Sequence, residues 1–86
     1  MEFEFDPDKS ATNLRKHGID FVEAQALWSD GRRVEVRART QGEGRWLLIA
    51  RHEFRLWSAI FTHRGQRIRI ISVRRARMEE VSIYEE

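Results

Sequence analysis

The hydrophobic period changes at Arg32, and that change limits the folds open to the chain. Before it, apolar residues recur at helical spacing, with Phe21, Ala24, Ala26, Leu27 and Trp28 giving one segment a hydrophobic side. After it, Val34, Val36 and Ala38 alternate with Arg33, Glu35, Arg37 and Arg39, the period of a strand whose two faces meet different surroundings. Arg45–Arg51, Leu56–Thr62 and Arg67–Val73 are three more strand candidates, the first of them following a turn at Gln41–Gly44. Their connections are short, so neighbours are expected to pair antiparallel.

The N-terminal part supplies one further strand and two helices. Met1–Asp6 alternates apolar and acidic residues, which puts Phe3 and Phe5 on one side of a short strand. Asp6-Pro7 turns the chain into a helix over roughly Pro7–His17, where Ala11, Leu14 and Lys16 lie among polar residues; Asp6 or Asp8 caps it and Gly18 stops it. The next helix starts near Asp20, which has capping-box spacing to Glu23, and ends at Ser29-Asp30-Gly31. Arg75–Glu86 reads as a closing helix whose weak apolar stripe, with Val81, Ile83 and Tyr84, either docks on the sheet or awaits a partner. The order β-α-α-β-β-β-β-α predicts an α+β fold in one domain over residues 1–86, a mainly antiparallel sheet with N-terminal helices and a C-terminal helix.

Composition removes several function classes. The chain has no cysteine, hence no disulfide and no thiolate metal site, which fits a cytoplasmic protein. The acidic N-terminus is not a secretory signal, and no apolar stretch is long enough to span a bilayer, so no membrane role is expected. Three separated histidines make no metal-ligand spacing, and there is no Gly-rich phosphate loop or G-x-S-x-G elbow; neither metal nor cofactor is expected. The net charge is only +2, but residues 32–77 hold thirteen Lys/Arg against three Asp/Glu. The segments before and after hold three against seven and none against four. A basic middle of this kind attracts a polyanion, although alternating arginines also serve to keep a half-exposed sheet soluble and its edges guarded.

The densest part of that charge is Thr62–Ala76, where arginines bracket a β-branched run. Guanidinium groups match phosphate oxygens two at a time, so the pattern points to a nucleic-acid backbone. Arg64, Arg74 and Arg75 are the candidate phosphate ligands, with Arg67, Arg69 and Lys9 as further positions that can bind an RNA or DNA backbone. Successive strand residues face opposite ways, so Arg74 and Arg75 share one phosphate only if the chain turns at that point; otherwise one of them pairs with Glu79 or Glu80. Lys16 and His17 stand at a predicted helix C-terminus, where the macrodipole favours their protonated forms; the role is an acid or phosphate contact, or a structural cap. Glu80 and Tyr84, a helical turn apart, are a base and hydroxyl donor or a packing and salt-bridge pair. His63 lies beside Arg64 in a hairpin, His52 is expected in solvent, and Trp46 and Trp57 are expected in the core rather than stacked on bases.

The string Phe3-x-Phe5-Asp6-x-x-Lys9-x-x-x-Asn13-x-x-Lys16-His17-Gly18-Ile19-x-Phe21-x-x-Ala24 resembles the start of the BrnT family of bacterial toxins. Arg45-Trp46 follows, then Arg69-Ile70-Ile71-Ser72-x-Arg74-Arg75-Ala76-x-x-x-Glu80-x-x-x-Tyr84, in the order expected of that family. The resemblance implies a RelE-like fold and a toxin that cuts RNA and arrests translation. It implies a BrnA-like antitoxin with a ribbon-helix-helix DNA-binding part, contact with promoter DNA only through the toxin–antitoxin complex, and a complex that can hold two toxin copies. Arg64, Arg74 and Arg75 match the family's basic strand-end cluster, and Lys16-His17 its helix-end motif. Ala50 stands where Gly is common, Phe54 where the hairpin is usually small, and the last helix is acidic where it is often basic. The competing reading is a non-catalytic module that binds RNA or protein and acts by occupancy, or a retained fold that has lost its activity.

Overall fold

The computed structural model describes residues 1–39 and 44–86. Its elements are strand β1 (Glu2–Glu4), helix α1 (Pro7–His17), a 3-10 helix (Glu23–Ser29), strands β2 (Val34–Arg37), β3 (Arg45–His52), β4 (Arg55–Arg64) and β5 (Arg67–Arg75), and helix α2 (Met78–Tyr84). The sheet runs β1-β5-β4-β3-β2. β2 to β5 are antiparallel neighbours, as their short connections require, whereas β1 joins β5 in parallel and makes the sheet mixed. The expected α+β architecture and element order are present. Of the turn expected at Gln41–Gly44, only Gly44 falls among the described residues, with φ +75°.

One face of the sheet carries the core. Leu48, Ala50, Trp57, Ala59, Phe61, Ile68, Ile70 and Val73 pack against Ile19, Phe21, Ala24, Leu27 and Trp28. Trp28 is held edge-on between Phe3 and Phe61, each with ring centroids 5.2 Å away, so β1 and the 3-10 helix close on the sheet through one aromatic stack. The 3-10 form replaces the expected α-helix over Glu23–Ser29. Asp20 still accepts the Glu23 N–H as a cap would, but the Glu23 carboxylate turns to His52 rather than completing a box.

Helix α1 buries a polar face. Asp6 is its N-cap, accepting from the Asp8 N–H, and Gly18 at φ +81° ends it. Ser10 and Asn13 point inward while Leu14 is about half exposed. Asn13 donates to the carbonyls of Ile19 and Val73 and accepts the Val73 N–H; Ser10 accepts the Phe21 N–H. The helix is thus fastened to β5 and the following loop by hydrogen bonds to backbone that would otherwise be unpaired in the interior.

The opposite face, with Ser58, Ile60, Leu47 and Ile49, receives α2, whose Val81, Ile83 and Tyr84 become half-buried. Docking on the protein's own sheet therefore accounts for that helix's apolar stripe. Tyr84 donates to Asp30 at 2.7 Å, and Asp30 also accepts the backbone N–H groups of Arg32 and Arg51. Burial works to raise the Asp30 carboxyl, but these hydrogen bonds and the Arg51 charge outweigh it and leave it lowered.

Candidate nucleic-acid interface

The candidate site forms where β5 is bare. β1 covers β5 only from Arg67 to Arg69, and beyond a register shift opposite Ile60/Phe61 the strand edge at Ile71 and Ser72 stands free of β1. An irregularity of this kind re-aims the side chains that follow it, often beside functional sites. Ser72 lines two cavities at once. One, of about 300 Å³, is walled by Asp8, Lys9, Thr12, Asn13, Lys16, His17 and Ile71. The other, of about 310 Å³, lies over the α2 face and is walled by Arg37, Ala38, Arg39, Leu47, Ile60, Arg74, Arg77 and Glu80. A band of cationic residues accordingly crosses the edge of β5 from α1 to the start of α2.

Arg74 is the most tightly held member. Its two terminal nitrogens meet the two oxygens of Glu80 at 2.8 and 2.9 Å. Glu80 is buried, and it also accepts the Ser58 hydroxyl and the Arg77 backbone N–H, the latter being half of a capping box for α2. The Arg74 hydrogen bonds hold the Glu80 carboxyl down at about 2 against the opposing effect of burial, with the Arg77 N–H and Ser58 adding to the lowering. The same pairing raises Arg74. A carboxylate this acidic, with both oxygens engaged, is a poor proton acceptor at neutral pH; its place is to orient Arg74. Arg39 and Arg77 have no carboxylate partner among the described residues, while Arg37 lays its guanidinium 4.9 Å over Trp46.

The structure separates other residues that the sequence grouped. Arg75 faces away from Arg74, its guanidinium 5.7 Å from the Trp57 ring on the core side. Arg64 lies six residues along β4 from Ser58, the partner of Arg74, or roughly 20 Å at strand rise. It lines a different cavity with Met1, Glu2, Glu4, Gln66 and Arg67. Arg67 pairs with Glu2 at 3.1 Å and Arg69 with Glu4 at 2.9 Å. Tyr84 is tied to Asp30, with burial and that bond raising its hydroxyl. Lys9, Lys16 and His17 do share the Ser72 edge. His52 is half-buried rather than in solvent, bonded to Glu23, and His63 packs edge-on to Phe61 and Trp46. Arg39 counted in the sequence only as part of the β2 alternation and Arg77 only as part of the closing helix; β2 ends at Arg37 and α2 begins at Met78, which leaves both just outside those elements.

A family model described as the ribonuclease toxin BrnT of type II toxin–antitoxin systems matches residues 5–80. The chain belongs to the BrnT family. Membership of a type II system implies a protein antitoxin as the partner of this BrnT chain. No curated protein matches the chain. The family match spans both walls of the cationic band, from Lys9 on α1 to Glu80 on α2. No described helix is long and apolar enough to cross a membrane.

Proposed function

We propose that this BrnT protein is a metal-independent endoribonuclease toxin that cuts RNA and thereby inhibits translation in the cytoplasm. The observation that carries the reading is the meeting of the two cationic cavities at Ser72. A single-stranded backbone laid over the bare edge of β5 would meet Lys9, Lys16 and His17 on one side and Arg39, Arg74 and Arg77 on the other. Cleavage without a metal needs a base for the ribose 2′-hydroxyl, an acid for the leaving oxygen and fixed positive charge for the pentacovalent transition state. Arg74, locked by Glu80, supplies pre-oriented charge; Arg77 and Arg39 add phosphate contacts. An imidazole ring can donate a proton from one nitrogen and accept at the other, so His17 is the assigned proton-transfer group, with Lys16 beside it holding the phosphate. Arg64 would extend backbone binding along the hairpin, Arg67 and Arg69 would join it only on leaving Glu2 and Glu4, and Arg75 would serve from the far face only where the RNA wraps the edge.

The antitoxin partner fits as a BrnA-like chain whose acidic or strand-forming segment covers the band, with its ribbon-helix-helix part reaching promoter DNA and with two toxins per complex. The test is cleavage of long unstructured RNA in excess EDTA by the intact protein and by Arg77→Ala and His17→Ala. Cyclic-phosphate ends are expected from the intact protein, with at least a hundredfold loss in His17→Ala. Binding without product from any of them would replace the enzyme by a module that acts through occupancy.

A further inference from the structure

We propose that Glu23, His52 and Glu53 form a binding site for a divalent transition-metal ion at the β3–β4 turn. The three residues come from the start of the 3-10 helix and from the end of β3 with its turn, separated in sequence by up to thirty positions. Their ligand atoms lie within 4.8 Å of one another. His52 Nε2 is 3.0 Å from Glu23 Oε2 and 3.6 Å from Glu53 Oε1. Ligands about 2.0–2.1 Å from a tetrahedral metal stand roughly 3.3 Å apart, so the two distances bracket the spacing that such an ion requires. One imidazole with two carboxylates and no thiolate suits Zn²⁺, Co²⁺ or Ni²⁺ rather than Cu⁺.

The surroundings fit an ion as well as the ligands do. All three residues line a cavity of about 280 Å³, which leaves room for water at the open coordination position. His17 forms part of the same cavity wall, bringing a second imidazole to it. Two carboxylates offset the charge of a dication, and the His52 side chain is only 20 % exposed, so its ring is held in place before the ion arrives. A bound ion would tie the β3–β4 turn to the 3-10 helix across the edge of the core. The three ligands take no part in the RNA chemistry proposed above, although His17 borders both cavities, and the site is read by binding alone.

The experiment is a calorimetric titration of tag-free protein with ZnCl₂, together with the visible absorption of the Co²⁺ form, on the intact chain and on His52→Ala, Glu23→Gln and His63→Ala. One ion per chain is expected, with affinity reduced at least tenfold in His52→Ala and Glu23→Gln and unchanged in His63→Ala. The intact protein should also melt at a temperature that rises with Zn²⁺ concentration. Circular dichroism checks that each variant is folded; Glu23→Gln, a near-isosteric change, serves if His52→Ala is not. Absence of binding at millimolar Zn²⁺, or equal binding by the intact protein and both ligand variants, would overturn the proposal.

Discussion

Glu80→Gln tests the central physical claim, that an ionised and buried pair fixes Arg74 and anchors α2. Holding the carboxyl at about 2 instead of 4.5 corresponds to roughly 3 kcal/mol of stability at neutral pH. Glutamine keeps the shape and some of the hydrogen bonds but loses the charge, so the expected loss at pH 7 is about 2–3 kcal/mol. That is a fall in melting temperature of roughly 10–20 °C for a chain of this size. The pH dependence distinguishes charge from packing. Because the folded state lowers this group, its contribution is complete above the unfolded value near 4.5 and is lost as pH falls through about 2. Roughly 1.4 kcal/mol should remain at pH 3, and under about 0.5 kcal/mol at pH 2. Urea unfolding followed by fluorescence of the three tryptophans, at pH 7, 4 and 3, measures the gap between the two proteins. A gap as large at pH 3 as at pH 7 would refute the reasoning and assign the effect to shape. Arg74→Ala should cost at least as much at pH 7, since it leaves a buried carboxylate without its cation.

Asn13→Ala removes three hydrogen bonds to interior backbone and should destabilise by about 2–4 kcal/mol, seen as a lower urea midpoint at unchanged slope. Tyr84→Phe deletes only the 2.7 Å bond to Asp30 and should cost about 1–2 kcal/mol, a loss that shrinks in an Asp30→Asn background measured by a double-mutant cycle. Glu53 sits at φ +59° at the first position of a two-residue hairpin turn, so in metal-free buffer Glu53→Gly should raise stability by about 1 kcal/mol in a thermal melt.

The local pattern carried the element order and the α+β class, because those follow from a period that each residue carries locally; β3 and β4 bury residues on both faces, so which of their faces meets the core was not in that pattern. Asp6-Pro7 and Gly18 bounded α1, and the two end motifs were enough to identify the family. The polar inward face of α1 was not legible as such. Ser10 and Asn13 carry no apolar signal, and their burial follows from hydrogen bonds to the loop at Ile19–Phe21 and to the β5 backbone. Nor could the sequence say which arginines are free. Arg67 and Arg69 meet acids sixty-five positions away only because β1 joins the sheet in parallel beside β5. Arg74 and Arg64 share a sequence cluster but stand far apart, since a hairpin puts residues near its turn at the opposite end from residues near its open ends. Local pattern sets which face a side chain takes; which charge it meets there is decided by strand order and register, which are properties of the assembled sheet.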